Sequence, residues 1–338
     1  MNVLVTGGAG YIGSHTALAL LEAGHSVTVL DNLTNSSTVA LQRVEALSGR
    51  PVNFVNGDIL DSTLLDTIFS SQSIDAVLHF AGLKAVGESA AEPLTYFINN
   101  VTGSLTLCNA MKKANVFNLV FSSSATVYGE PTSMPISEDF ETGAPTNPYG
   151  RSKLMVEECL KDIAASDSRW CIALLRYFNP VGAHSSGMIG ENPSGLPNNL
   201  LPFISKVAAG KLKELCVFGD DYPTVDGTGM RDYIHVVDLA DGHLKALNRI
   251  VKSPGVSVWN LGRGEGYTVL QMISAFENAT GCKIPYRVVA RRSGDIAECW
   301  ADTYKAQVEL GWTALRTVED MMIDTWRWIR KNPDGYKN

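Results

Sequence analysis

A phenol and an ammonium set four residues apart are the first groups in this chain able to do chemistry together. Tyr149-Gly-Arg-Ser-Lys153 follows Pro148, which suits the first turn of a helix, and precedes the helix-forming run from Leu154 to Glu158. Residues four apart share one helix face, so both groups address one point. A free tyrosine, with a pKa of ~10, is a poor base near neutrality, and a neighbouring lysine cation lowers that value. Spacing alone is weak evidence, because solvated helices carry Tyr-x-x-x-Lys by chance. A third group lies shortly upstream, where Ser122-Ser123-Ser124 ends an apolar run. The Ser124 hydroxyl there can share a hydrogen bond with a reacting oxygen and the phenol; read blandly, the same serines are a polar turn.

The first residues supply a partner for that chemistry. Asn2–Thr6 reads as a short buried strand, Gly7-Gly8-Ala9-Gly10-Tyr11-Ile12-Gly13 follows, and Ser14–Ala23 is a plausible helix ended at Gly24. A second strand, His25–Asp31, closes on a carboxylate. Strand, glycine loop, helix and acid in this order are the dinucleotide-binding pattern. The glycines (Gly7, Gly10, Gly13) let the backbone turn tightly toward a pyrophosphate at the helix N-terminus. Asp31 is expected to accept from the adenosine ribose. No Lys or Arg lies between Asp31 and Gln42, so a 2′-phosphate meets a negative charge and no partner, which favours NAD over NADP.

The elements that must position these groups alternate. Apolar runs at 52–55, 76–80, 119–122 and 172–177 read as strands, with helical stretches at 62–69, 95–114 and 148–165 between them. This alternation predicts an α/β fold: a Rossmann-type doubly wound parallel sheet over residues 1–180. From Asn179 onward Gly, Pro, Ser and Asn crowd the chain as far as 199 and the elements shorten. Residues 181–338 are expected to form a smaller mixed α/β substrate domain, with a helix near 235–250 packing back on the first.

A length of 338 residues is ample for a large core, and a net charge of −7 argues against nucleic acid or an anionic membrane as partner. The uncharged first twenty-one residues hold four glycines and no basic start, so neither a signal peptide nor a membrane span is expected. The six cysteines are scattered and form no ligand cluster with the six histidines. They read as reduced cytoplasmic thiols, and no metal site is expected.

With the glycine motif, Ser124 and Tyr149/Lys153 in this order, the chain resembles the extended short-chain dehydrogenase/reductase family. The stretches Phe80–Ser89, Leu175–His184 and Asp226–Val236 are similar to those of the UDP-glucose 4-epimerase family, and the similarity runs on to Trp300-Ala301-Asp302, essentially the whole chain. The resemblance implies reversible C4 epimerisation of UDP-hexoses in galactose metabolism, through a 4-keto sugar and tightly held NAD. Tyr149 would take the 4-hydroxyl proton, Ser124 would ease its movement, and Lys153 would bond the nicotinamide ribose and keep Tyr149 acidic. The cofactor positions it implies include Tyr11, Ile12, Asn32, Asn35, Ser36, Asp58, Ile59, Phe80, Ala81, Gly82, Lys84, Asn99 and Phe178. For the UDP-sugar it implies Asn179, Asn199, Leu200, Cys216, Phe218, Arg231, Arg292 and Asp295. It also implies a homodimer built on the helices at 95–114 and 148–165. Read from spacing alone, Arg291-Arg292 is equally a solvated basic turn, and the asparagines are equally turn residues.

One departure bears on the substrate. Just before Trp300 the family places a residue that walls the sugar pocket, bulky where only plain hexoses fit and small where 2-acetamido sugars are accepted. Here it is Cys299, which predicts room for an acetamido group unless Tyr304 or Val269 fills it. Two rivals remain. A dehydratase of this fold needs a carboxyl pair where Ser124-Ala125-Thr126 stands, which disfavours elimination more than decarboxylation. A non-catalytic NAD-binding sensor commonly lacks the tyrosine or the lysine, and this chain keeps both.

Overall fold

The computed structural model describes residues 1–193, 199–251, 253–292 and 294–337. Residues 194–198, inside the Gly/Pro/Asn-rich stretch, lie outside the described residues. Six strands, β1 (Asn2–Thr6), β2 (Ser26–Asp31), β3 (Val52–Asn56), β4 (Ala76–His79), β5 (Asn118–Ser124) and β6 (Cys171–Tyr177), pair in parallel. Their order is β6-β5-β4-β1-β2-β3.

Helices cover both faces, which is why most of the central strands are apolar on both sides. Alternate residues of β1 point to opposite faces. Val3 and Val5 join Leu18, Leu21, Leu41 and Leu247 on one face, while Leu4 joins Leu65, Leu107, Val156 and Leu160 on the other. The helix Val236–Ile250 packs on the first face through Leu239, Ala246 and Leu247.

A seventh strand gives no clear signal in the sequence. Gly255–Leu261 pairs in parallel with β6, from Gly255 opposite Cys171 to Leu261 opposite Tyr177. A division of the chain at residue 180 assigns this strand to the second half, whereas its hydrogen bonds place it in the sheet of the first. The expected helix over 95–114 is also interrupted. It runs as Pro93–Tyr96, a wider π turn at Phe97–Thr102, and Gly103–Lys113.

The second layer is small and mixed. Strands Gly266–Thr268, Asn179–Val181 and Glu298–Cys299 all pair with Met230–His235, and Leu215–Phe218 pairs with Tyr286–Val289. Helices Leu200–Ala208, Val269–Thr280 and Val318–Lys331 enclose its own core around Ile204, Met272, Phe276 and Met321. In the main sheet the strand order reverses between β1 and β4. The crevice beyond the carboxyl ends at such a point is where open α/β sheets take their ligands.

Candidate active site

The loop after β1 is built to let another molecule approach its backbone. Gly7 has a φ of +69°, and a Cβ there would sit 2.7 Å from the Ala81 nitrogen; one on Gly13 would sit 2.3 Å from the Gly7 carbonyl oxygen. The helix Tyr11–Glu22 begins at Gly10 with no side-chain cap and no acid in its first turn. Its amide donors and dipole therefore suit an anion. Asp31, buried at the end of β2, accepts from Ala9 N (3.0 Å), Leu33 N (2.9 Å) and the Ser36 hydroxyl (2.7 Å). A carboxylate has about four acceptor sites, so capacity for a ribose hydroxyl remains. Arg43, the first cation beyond Asp31, donates instead to Met188 O (2.8 Å) and Asn332 Oδ1 (2.6 Å). Asn32 donates to Asp58 at 2.8 Å on the same rim. Ile59 packs where a Cβ on Gly103 would meet its Cδ1 at 2.5 Å. This glycine cradle with its acid fits a dinucleotide.

The three groups singled out for proton chemistry meet beside that cradle. Ser124 ends β5, and Tyr149 and Lys153 lie on the helix Pro148–Ser166, whose start is capped by Asn147 accepting from Gly150 N (2.9 Å). Burial raises the Tyr149 phenol above its ordinary value, and the hydrogen bond with Ser124 opposes that shift. The buried Lys153 ammonium donates to Ser122 O at 2.7 Å and lies 4.8 Å from the Phe121 ring centroid. Burial lowers Lys153 to about 8, and Glu157 acts against that. The spacing predicts a lysine that acidifies the phenol directly. In the structure the ammonium gives one hydrogen bond to a β5 carbonyl, and Ser124 is a further group that acts on the phenol.

The polar groups beneath carry no motif of their own in the sequence. Asn100 Nδ2 donates to Leu83 O (3.0 Å) and Ser152 Oγ (2.9 Å), and its Oδ1 accepts from Leu83 N (2.8 Å) and Asn99 Nδ2 (2.9 Å). Ser152 in turn donates to Tyr149 O at 2.7 Å. Asn100 thus ties the 80–84 loop to the turn that carries the phenol. Phe80 N donates to Thr6 O (3.0 Å) and Ala81 N to Thr6 Oγ1 (3.4 Å), while a Cβ on Gly82 would lie 3.7 Å from Lys153 Nζ.

Two residues of the predicted cofactor set make side-chain bonds within the chain. Lys84 pairs with Glu191 at 3.3 Å, and the Tyr11 hydroxyl donates to Gly182 O at 2.7 Å. Both bonds join the first layer to the 182–191 segment. Asn35 is exposed in the loop after β2.

The predicted sugar-nucleotide residues gather in the second layer. Arg231 and Cys299 face each other in register, and Arg231 Nη1 donates to Met230 O at 2.8 Å. Arg292 forms a two-point pair with Asp295 (2.9 and 3.1 Å) and lies 5.7 Å from the Phe218 ring. Arg291 is taken up by Asp221 at 2.6 Å. Phe218 and Cys216 share the strand Leu215–Phe218; Asn199 and Leu200 begin the helix Leu200–Ala208, and Asn179 begins the strand Asn179–Val181. Cys299 packs with Phe178, Ala125 and Tyr128, which brings it against the turn after Ser124. Tyr304 is 69% exposed and Val269 sits in the separate core of the second layer, so neither joins that cluster. A cavity of about 290 Å³ between the helices Leu200–Ala208 and Val318–Lys331 is lined by Glu191 and Asn332 and by none of the predicted catalytic or sugar-nucleotide side chains.

Comparison with known proteins agrees with this geometry. The model of the NAD dependent epimerase/dehydratase family matches residues 3–262. The chain is 60% identical over 338 residues to the UDP-glucose 4-epimerase of Pasteurella multocida (strain Pm70), covering all of both chains. It is 58% identical to that of Bacillus subtilis (strain 168), covering all of this chain and 99% of that one. A crystal structure of the Bifidobacterium longum UDP-glucose 4-epimerase with NAD+ and UDP superposes with a TM-score of 0.97 at 54% identity, covering 99% of this chain and all of that one.

Proposed function

The chain belongs to the NAD dependent epimerase/dehydratase family, and we propose that it interconverts UDP-hexoses at C4 with NAD as its resident cofactor. The observation that carries the reading is the Ser124–Tyr149 hydroxyl pair, held beside a glycine cradle with the buried Lys153 ammonium one turn away.

NAD held by the 7–13 loop, Asp31, Asp58 and the 80–84 loop supplies reversible hydride acceptance at C4. The chain's own groups move the proton. The sugar 4-hydroxyl gives its proton to Tyr149 in its phenolate form, with the Ser124 hydroxyl beside it able to relay the proton, and the phenol so formed returns it when the 4-keto group is reduced. The Lys153 cation lowers the energy of negative charge on either oxygen. Reversing the transfer on the other face of a 4-keto sugar yields the epimer with no net oxidation. Arg231 and Arg292 take the diphosphate, since a guanidinium fork matches phosphate oxygens, and Asp295 takes a uridine ribose hydroxyl.

Elimination of water is disfavoured by the two residues after Ser124. Ala125 is buried, and Thr126 spends its hydroxyl on Ser124 Oγ at 3.0 Å, so no carboxyl pair is present to act as acid and base there. The small Cys299 side chain, with Tyr304 and Val269 both elsewhere, supports acceptance of 2-acetamido UDP-sugars as well. The apolar residues Leu94, Ile98, Leu105 and Met155, all exposed on the helices around 93–113 and 148–166, support pairing with a second copy. All six cysteines are free thiols, in keeping with a reducing cytoplasm.

The test is a coupled assay of purified protein, without added NAD, on UDP-galactose and UDP-N-acetylgalactosamine side by side. Turnover of both is expected. Turnover of UDP-galactose alone removes the pocket reading, and no turnover of either after NAD is added removes the epimerase reading.

A further inference from the structure

We infer that Glu157 is a positioning residue for the proton chemistry at Tyr149, the fixed counter-charge that keeps the Lys153 ammonium in place. Tyr149, Lys153 and Glu157 follow one another at four-residue steps on the buried face of one helix. Glu157 is fully buried and paired with the equally buried Arg176. Its Oε1 accepts from Ser123 Oγ (2.5 Å) and Arg176 Nε (3.0 Å), and its Oε2 from Arg176 Nη2 (2.6 Å).

Those two partners are not arbitrary. Ser123 and Arg176 are register partners on β5 and β6, and the next pair along is Ser124 and Tyr177. One carboxylate therefore clamps the last turn of both strands to the helix that carries the phenol. A buried ion pair is a poor source of stability, since apolar groups of similar volume often do better. Its place directly beneath the site gives it another use.

Lys153 needs that use. Its contacts are a carbonyl and a ring, neither of them an anion. The ionisable groups around it come from every neighbouring element. His79 on β4 is lowered to about 3 by burial, with Lys153 adding to the shift, and is neutral. Tyr177 on β6 and Tyr96 on the helix Pro93–Tyr96 are pushed up by burial, and Tyr128 after β5 is raised to about 12 by the same cause. Glu88 is bonded to the Tyr96 hydroxyl at 2.8 Å. Arg176 sits 4.8 Å from the Tyr128 ring centroid, on the strand side of Glu157. Glu157 is the anion that opposes the burial of Lys153.

This role rests on the C4-epimerase reading, and its test separates the two. Glu157→Gln, Glu157→Asp and the double variant Glu157→Gln/Arg176→Met are compared with the parent protein. Two readouts are taken: the pH profile of kcat/KM on UDP-galactose, and the titration of Lys153 by 13C NMR at Cε, which needs no turnover. The alkaline limb and the Lys153 titration are both expected to move down by about one pH unit in Glu157→Gln and in the double variant, a tenfold change in proton concentration. Both should return in Glu157→Asp, which keeps the charge. The double variant leaves no orphaned guanidinium, so it decides the matter if Glu157→Gln does not fold. An unmoved Lys153 titration in either folded variant makes Glu157 a partner of Arg176 only. An inactive parent protein overturns the epimerase reading and leaves the NMR result standing on its own.

Discussion

Cys299 and Arg231 are register partners on neighbouring parallel strands, so backbone hydrogen bonding fixes the thiol beside the guanidinium assigned to the diphosphate. Burial raises the Cys299 thiol to about 11. It is a neutral thiol near neutrality, and its contribution to the pocket is its size.

Enlarging that residue should therefore narrow the substrate range. Cys299→Tyr is expected to keep turnover of UDP-galactose within a few-fold and to lower kcat/KM for UDP-N-acetylgalactosamine by tenfold or more, since about 1.4 kcal/mol of clash suffices. Equal effects on both sugars in parallel assays would contradict the wall assignment.

Activity and stability should respond to alkaline pH in opposite directions through Lys153. Its folded pKa lies near 8, below the ordinary lysine value of ~10.4. The ammonium is complete below that folded value and lost as pH rises through it, so turnover should decline with a midpoint near 8. Between the two values the unfolded chain binds more protons than the folded one, so this group's contribution to stability grows with pH. Turnover and urea midpoints measured from pH 7 to 10 check both slopes.

Removing either side chain separates binding from chemistry. Tyr149→Phe should keep bound NAD, seen by absorbance after denaturation, while kcat falls by ~10² or more. Lys153→Met should cripple turnover as well, and full activity in either variant would assign the proton transfer to another group.

A methyl group at Gly13 has nowhere to go, because the Gly7 carbonyl lies 2.3 Å from where it would sit. Gly13→Ala should displace the loop, so the purified variant is expected to carry little NAD and to melt several degrees lower. Retention of a full cofactor complement would show that the loop has slack that the close backbone packing denies.

Asp232, next to Arg231, offers a stability test of the backbone that supports the substrate side of the site. Fully buried, it accepts from Arg263 N (2.7 Å), Gly264 N (2.9 Å) and Ala301 N (3.2 Å), and burial lifts it to about 6. Asp232→Ala orphans three amides at once and should cost about 3 kcal/mol, read as a lower urea midpoint. The 262–264 and 300–302 segments should also exchange faster by hydrogen–deuterium exchange.

The features legible in the sequence are those that local pattern encodes. The glycine loop, Asp31 and the four-residue step from Tyr149 to Lys153 each announce themselves within one element, and their placement follows from strand and helix periodicity. The strand Gly255–Leu261 does not, because its partner β6 lies some eighty residues earlier and pairing register leaves no local trace. Asn100, Glu157 and Arg176 stay hidden for a related reason. Each sits in a run that reads as ordinary helix or strand, and only tertiary contact reveals that their side chains meet. The break at Phe97–Thr102 is concealed likewise, since no proline or glycine lies within it and the flanking Pro93 and Gly103 do not by themselves indicate a wider turn. Lys84 and Tyr11 show the reverse limit, because a motif locates a residue without saying which way its side chain turns.

The strand Gly255–Leu261 also sets an order of events during synthesis. The chain leaves the main sheet after Tyr177 and returns beside it only at Gly255, with Leu261 coming to rest opposite Tyr177. A nascent chain that has emerged only to residue 180 therefore carries β6 as a bare edge, open to pairing with any passing strand. The ribosome must deliver some eighty further residues before that edge is sealed, and a chain truncated near residue 180 is expected to aggregate.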